Sequence, residues 1–94
     1  MNFSSKFESI KWLINELYNN GLTDISRTDI FSNYYRNLKH LKYQDTIDMY
    51  RRMLNVCGYL SIANGSGNYV ILQSIPENLT STNLRAAYNN LIHN

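Results

Sequence analysis

The spacing of apolar residues predicts helices at both ends and in the middle of the chain, with one β-hairpin between them. Phe7, Ile10, Leu13, Ile14, Leu17 and Tyr18 recur at steps of three and four, the stripe of an amphipathic helix. Ser5-Lys-Phe-Glu8 is a capping box that starts this helix, and Asn19-Asn20-Gly21 stops it. Residues 22–25 read as a short extended segment, an edge strand beside the later hairpin. Ser26-Arg-Thr-Asp29 is a second cap signature. It opens a helix with Ile30, Phe31, Tyr34, Tyr35 and Leu38 on one side, and residues 37–44 follow as a turn or frayed end. Ile47, Tyr50, Leu54 and Cys57 then share one face of a helix over 45–57. Asp45 and Thr46 supply side-chain acceptors for its first N–H groups, and Gly58 can take the left-handed conformation that ends it.

After Gly58 the period changes from near 3.6 to 2. Leu60 and Ile62 alternate with Ser61 and Ala63, Asn64-Gly-Ser-Gly67 is a turn signal, and Tyr69 to Leu72 return as a β-rich run. A Gly65-Ser66 turn puts Leu60, Ile62, Tyr69 and Ile71 on one face. A register one residue longer substitutes Val70 and Leu72. The first is preferred, because glycine suits the first position of a tight II′ turn. Residues 74–78 break the pattern, since Pro76 cannot join a ladder. Residues 80–82 can cap a last helix carrying Leu84, Ala87, Tyr88, Leu91 and Ile92.

The order is helix, short strand, helix, helix, hairpin, helix. An apolar-spaced helix that ends in Gly58-Tyr59-Leu60 and runs directly into a hairpin resembles the winged helix-turn-helix superfamily, and the resemblance covers nearly the whole chain. The fold class expected is mainly α with a small β-hairpin: one winged-helix domain over 1–94, with 80–92 as an additional C-terminal packing or dimerisation helix. The helix over 45–57 is expected to cross the helix that begins near Ser26. Ile30, Phe31, Tyr34, Leu38, Ile47, Leu54, Leu60 and Ile62 are expected to be buried.

Composition narrows the function classes. The chain has 94 residues, 44% of them hydrophobic, enough for one small core. No apolar run approaches the roughly 20 residues of a membrane helix. The start of the chain lacks the apolar centre of a signal peptide, so a cytoplasmic location is the default. The lone Cys57 cannot form an internal disulfide, and it reads as a small buried hydrophobe. Two scattered histidines make no recognisable zinc site. No nucleophile motif and no glycine-rich phosphate loop is present, so neither an enzyme nor a cofactor is expected. The abundance of asparagine reads as AT-rich coding and points to a low-GC bacterium or its phage.

The net charge is +2, too small to impose a nucleic-acid partner, but it is unevenly placed. Arg27, Arg36, Lys39, Lys42, Arg51 and Arg52 face only Asp29, Asp45 and Asp48 over residues 27–52, which leaves +3 there. The segment 36–43 interleaves basic and aromatic residues. Arg36, Lys39, His40 and Lys42 can meet phosphates, and Tyr43 and Gln44 can donate hydrogen bonds to them. The plain alternative is a polar turn that keeps the domain soluble.

The resemblance makes 45–55 the recognition helix, with Thr46, Asp48, Met49, Arg51, Arg52 and Asn55 facing outward. Arginine can bond bidentately to guanine or phosphate, and asparagine to adenine. The same residues also suit an ordinary solvated helix face. Asp45 and Asp48 weigh against DNA, because they sit where helix-turn-helix proteins approach bases. The wing at 64–68 carries no cation; Asn64, Ser66 and Asn68 read first as an exposed turn. Tyr34, Tyr35, Tyr50 and Tyr88 fall on helix stripes and read as core, and Trp12 as a dimer anchor. The expectation is a small DNA-binding protein, a phage or plasmid transcriptional regulator or replication accessory, bound to double-stranded DNA as a homodimer. The alternative is a protein-binding winged helix that engages host machinery or a larger phage assembly.

Overall fold

The computed structural model describes residues 5–38, 44–61, 65 and 68–93, with side chains for all of these except 34–38 and 44. The described residues form four helices and a small antiparallel sheet. In chain order they are α1 (Lys6–Asn19), β1 (Asp24–Ser26), α2 (Arg27–Leu38), α3 (Gln44–Val56), β2 (Asn68–Val70) and α4 (Ser81–Ile92).

Local chemistry sets most boundaries. Ser5 caps α1, its hydroxyl accepting from Glu8 N at 3.2 Å. Gly21 follows the helix at φ +79°, where a side chain would be strained. Ser26 ends β1 and caps α2 at once. Its hydroxyl accepts from Asp29 N (3.0 Å), while the Asp29 carboxylate accepts from Ser26 N (3.2 Å), a reciprocal capping box. The strand therefore sits slightly later than the sequence expectation of 22–25. Gly58, at φ +90°, closes α3, and Tyr59 N and Leu60 N both turn back to Leu54 O. Thr80 caps α4 by accepting from Asn83 N at 3.1 Å.

The sheet settles the two hairpin registers. β1 pairs with β2 through Asp24–Val70, Ile25–Tyr69 and Ser26–Asn68. On the other edge of β2, Leu60 bridges Ile71, Ser61 N donates to Val70 O, and Leu72 N donates to Tyr59 O. Residues 59–61 and 70–72 are thus matched as a Gly65-Ser66 turn requires. Leu60, Tyr69 and Ile71 are buried, Val70 is half-buried and Leu72 is exposed, so the longer register is excluded. Ile62 and most of the turn lie outside the described residues.

The core gathers Phe7, Ile10, Ile14, Ile25, Ile30, Ile47, Tyr50, Met53, Leu54, Leu60, Tyr69, Ile71, Ile75 and Leu84. The Phe7 and Tyr50 rings meet with centroids 5.4 Å apart. α1 packs chiefly on α2, and α3 chiefly on α4. Ile30, Ile47, Leu54 and Leu60 are buried as expected. Phe31 is not: it is 36% exposed. The buried side of α2 runs through Ile30 and Asn33, whose amide donates to Ser9 O (2.7 Å) and Ser9 Oγ (2.9 Å) on α1. A polar contact between small side chains occupies the helix interface, and Phe31, a quarter-turn from Ile30, is left outside. Tyr34, Tyr35 and Leu38 lie outside the described side chains. Tyr18, expected on the apolar stripe of α1, is also exposed.

Candidate nucleic-acid interface

The expected outward face of α3 is narrower than the sequence implies. Ile47, Tyr50 and Leu54 point into the core, as does Met53, which the sequence reading left out. Met49, Met53 and Cys57 recur at steps of four and form a second apolar row, a signal that was legible. Met49, expected to face outward, is half-buried against the core, with Arg85 of α4 approaching its sulfur at 3.5 Å. α4 therefore covers one flank of α3.

Five of the candidate residues lie on α3, four of them with described side chains. Arg52 is exposed, and Thr46 is half-buried. Asn55 is half-buried and donates its amide to Leu60 O at 3.0 Å, tying the end of α3 to the first strand of the hairpin. Arg51 lies across the Tyr69 ring, its guanidinium carbon 5.3 Å from the centroid, and its Nε is buried without a hydrogen-bond partner among the described residues. Stacking on the aromatic face holds that guanidinium against the sheet. Gln44 begins α3, but its side chain is outside the description, as is that of Arg36 on α2. Lys39, His40, Lys42 and Tyr43 lie outside the described residues, as does the hairpin tip apart from Gly65 and Asn68.

The structure adds Arg27, which the sequence reading counted only as charge. At the start of α2 it forms a two-point ion pair with Asp48 of α3: Nε to Oδ1 at 3.0 Å and Nη2 to Oδ2 at 3.2 Å. The hydrogen bond to Asp48, and then its charge, raise the Arg27 pKa above the ordinary arginine value. Both side chains are partly open to water, so the pair contributes little to stability. Its effect is on charge, since it neutralises one of the two acids that would repel a phosphate. Nothing in the local sequence marks this partnership, because the two residues are 21 positions apart. Beside Arg27, the residues Thr28, Phe31 and Ile47 line a shallow depression of about 150 Å³.

Elsewhere the polar residues are occupied structurally. Lys11 is only 3% exposed, and its ammonium donates to Glu8 (2.9 Å), Glu77 O (2.8 Å) and Leu79 O (3.0 Å). Those three bonds use all of its donors. Asn15 makes a two-way bond with the backbone of Ile75, donating to its C=O at 2.8 Å and accepting from its N–H at 2.6 Å. Burial pushes the Cys57 thiol up from its ordinary pKa, away from the thiolate a nucleophile needs. Among the described residues no three His, Cys, Asp or Glu side chains converge as a metal site requires, and no helix is long and apolar enough to cross a membrane. Compared with protein-family models, with curated proteins and with solved structures, the chain matches none.

Proposed function

We propose that this chain is a winged-helix domain that binds double-stranded DNA, acting as a phage or plasmid regulator or replication accessory. The observation that carries the reading is the path of the chain after α2. α3 leads through Gly58 to Leu60, which bridges Ile71 on the edge of β2 opposite β1, the strand that precedes α2. A helix that runs directly into a hairpin, with an earlier edge strand beside it, is the arrangement by which a winged helix holds its recognition helix at the surface. Arg52 stands open on α3, Arg51 is braced on Tyr69, and Arg27 offsets Asp48. The cations Arg36, Lys39, His40 and Lys42 precede α3 in the sequence, where backbone contacts are expected.

Fluorescence anisotropy with labelled duplexes over a salt series tests the reading. Lys39→Ala and Lys42→Ala should weaken binding to every sequence, each lowering the slope of log affinity against log salt by about 0.9. Arg52→Ala should instead relax discrimination between sequences. If the purified chain raises the anisotropy of no duplex even at low salt, the reading fails.

A second reading has its own support. Exposed Phe31 sits beside the Arg27–Asp48 pair, an apolar spot rimmed by both signs of charge, which suits a protein partner such as host machinery or a phage assembly. That reading calls for neither pattern of salt dependence.

A further inference from the structure

We propose that Arg27 reads the edge of a guanine in duplex DNA and that Asp48 is the positioning residue that presents it. The inference rests on the DNA-binding reading above and names the base that site would take.

The Asp48 carboxylate occupies one side of the guanidinium, the edge made by Nε and Nη2. The other edge, formed by Nη1 and the outer N–H of Nη2, meets no acceptor among the described residues. It presents two parallel donors in one plane, the arrangement that matches a planar double acceptor. The pair spans two elements, with Arg27 at the start of α2 and Asp48 in α3, so it biases the long side chain toward one direction before any ligand arrives.

Charge decides which double acceptor suits this fork. Arginine ordinarily binds phosphate or carboxylate because opposite charges attract. Here Asp48 has already neutralised the guanidinium, and exposed Asp45 stands nearby in the chain at the start of the same helix. An incoming phosphate gains little Coulomb energy and meets these carboxylates. The O6 and N7 atoms of guanine are neutral acceptors, spaced for a bidentate arginine, and they keep both hydrogen bonds without that repulsion. The neighbourhood agrees. Phe31, Thr28 and Ile47 give the depression beside Arg27 a largely apolar wall, which favours the flank of a base over the phosphate backbone. Asp48, otherwise an obstacle at the front of a recognition helix, becomes the brace that turns a general cation into a base-reading one.

The test starts with duplexes selected from a random-sequence pool by the wild-type chain at low salt. In the recovered duplex each guanine is replaced singly by 7-deazaguanine, which lacks N7. One replacement should weaken wild-type binding by roughly 2- to 12-fold, the loss of one hydrogen bond of the pair, since O6 still accepts. Arg27→Ala should bind the unmodified duplex more weakly and should not respond further to that replacement. Arg27→Lys, which keeps the charge but loses the planar fork, should bind the unmodified duplex more weakly and lose less than the wild type on that replacement, and it guards against a folding defect in the alanine variant, with circular dichroism confirming the fold of each. Asp48→Asn should bind unrelated duplexes more tightly, with a steeper salt dependence and a smaller penalty for 7-deazaguanine. If no duplex is recovered, the DNA reading fails and this inference with it. If duplexes are recovered but both Arg27 variants respond to every replacement as the wild type does, the guanine contact alone is overturned. If Asp48→Asn changes neither salt dependence nor discrimination, the bracing role is overturned.

Discussion

Asn15 shows how much a single polar side chain can hold. It sits on the buried side of α1 and completes both backbone bonds of Ile75, 60 residues away. Truncation leaves a buried N–H and a buried C=O without partners, each costing about 1–3 kcal/mol. Asn15→Ala is therefore expected to destabilise the chain by roughly 2–6 kcal/mol. Urea unfolding should record this as a lower midpoint with an unchanged slope. Cys57 gives a second outcome at this scale. Because burial raises its pKa, the folded protein at pH 8 should be alkylated by iodoacetamide more slowly than the unfolded chain, as followed by mass spectrometry. The sign for stability follows. The unfolded thiol ionises in the ordinary cysteine range while the folded one stays protonated to higher pH, so the stability this group contributes is fully present below that range and is lost as pH rises through the folded pKa. Residue-scale roles were the least legible in the sequence. Lys11 counts as a surface cation by composition, yet its ammonium is bound by Glu8 and two carbonyls. Its position on the border of an apolar stripe carries no sign of the distant carbonyls that made burial affordable.

At the scale of elements, sequence and structure agree more closely. Capping and period depend on neighbours within four residues, so Ser5, Ser26, Gly58 and Thr80 could all be read directly. The hairpin register followed from which alternation buries apolar side chains. α3 was read only in part. Its core row of Ile47, Tyr50 and Leu54 was evident, and the second row through Met49, Met53 and Cys57 was present in the spacing, but the packing of α4 decides that this flank is covered. Leu54, fully buried, is where α3 commits most to the core. Leu54→Ala should cost about 2–5 kcal/mol, measurable by the same urea titration. Gly58→Ala should cost about 1–2 kcal/mol for a different reason. No atom obstructs the added methyl closer than 3.8 Å, so the penalty comes from φ +90° alone. Gly58→Asn, which tolerates that conformation better, should recover part of the loss.

At the scale of the whole molecule, α4 has one covered end and one open end. Leu84 is fully buried, while Leu91 and Ile92 are 54% and 47% exposed. A homodimer through residues 82–92 is expected, pairing the same patch on two copies. Light scattering should give the dimer mass, and Leu91→Asp with Ile92→Asp should give a monomer whose melting temperature is little changed. A monomer at high concentration for the unaltered chain would remove the expectation. The candidate interface also belongs to this scale, because it is assembled from α2, α3 and β2. The sequence by itself determined the helices, their caps, the turn and the face of each strand that carries apolar side chains, since helix and strand periods are set by local backbone geometry. Only the tertiary structure decided which flank of α3 stays open, that Phe31 lies outside and Lys11 inside, and that Arg27 meets Asp48. These outcomes depend on how α2 docks against α1 and α3, and on how α4 and the 75–79 segment dock against α3 and α1. Such docking brings together groups far apart in the chain, and neither period nor composition encodes which of them will meet.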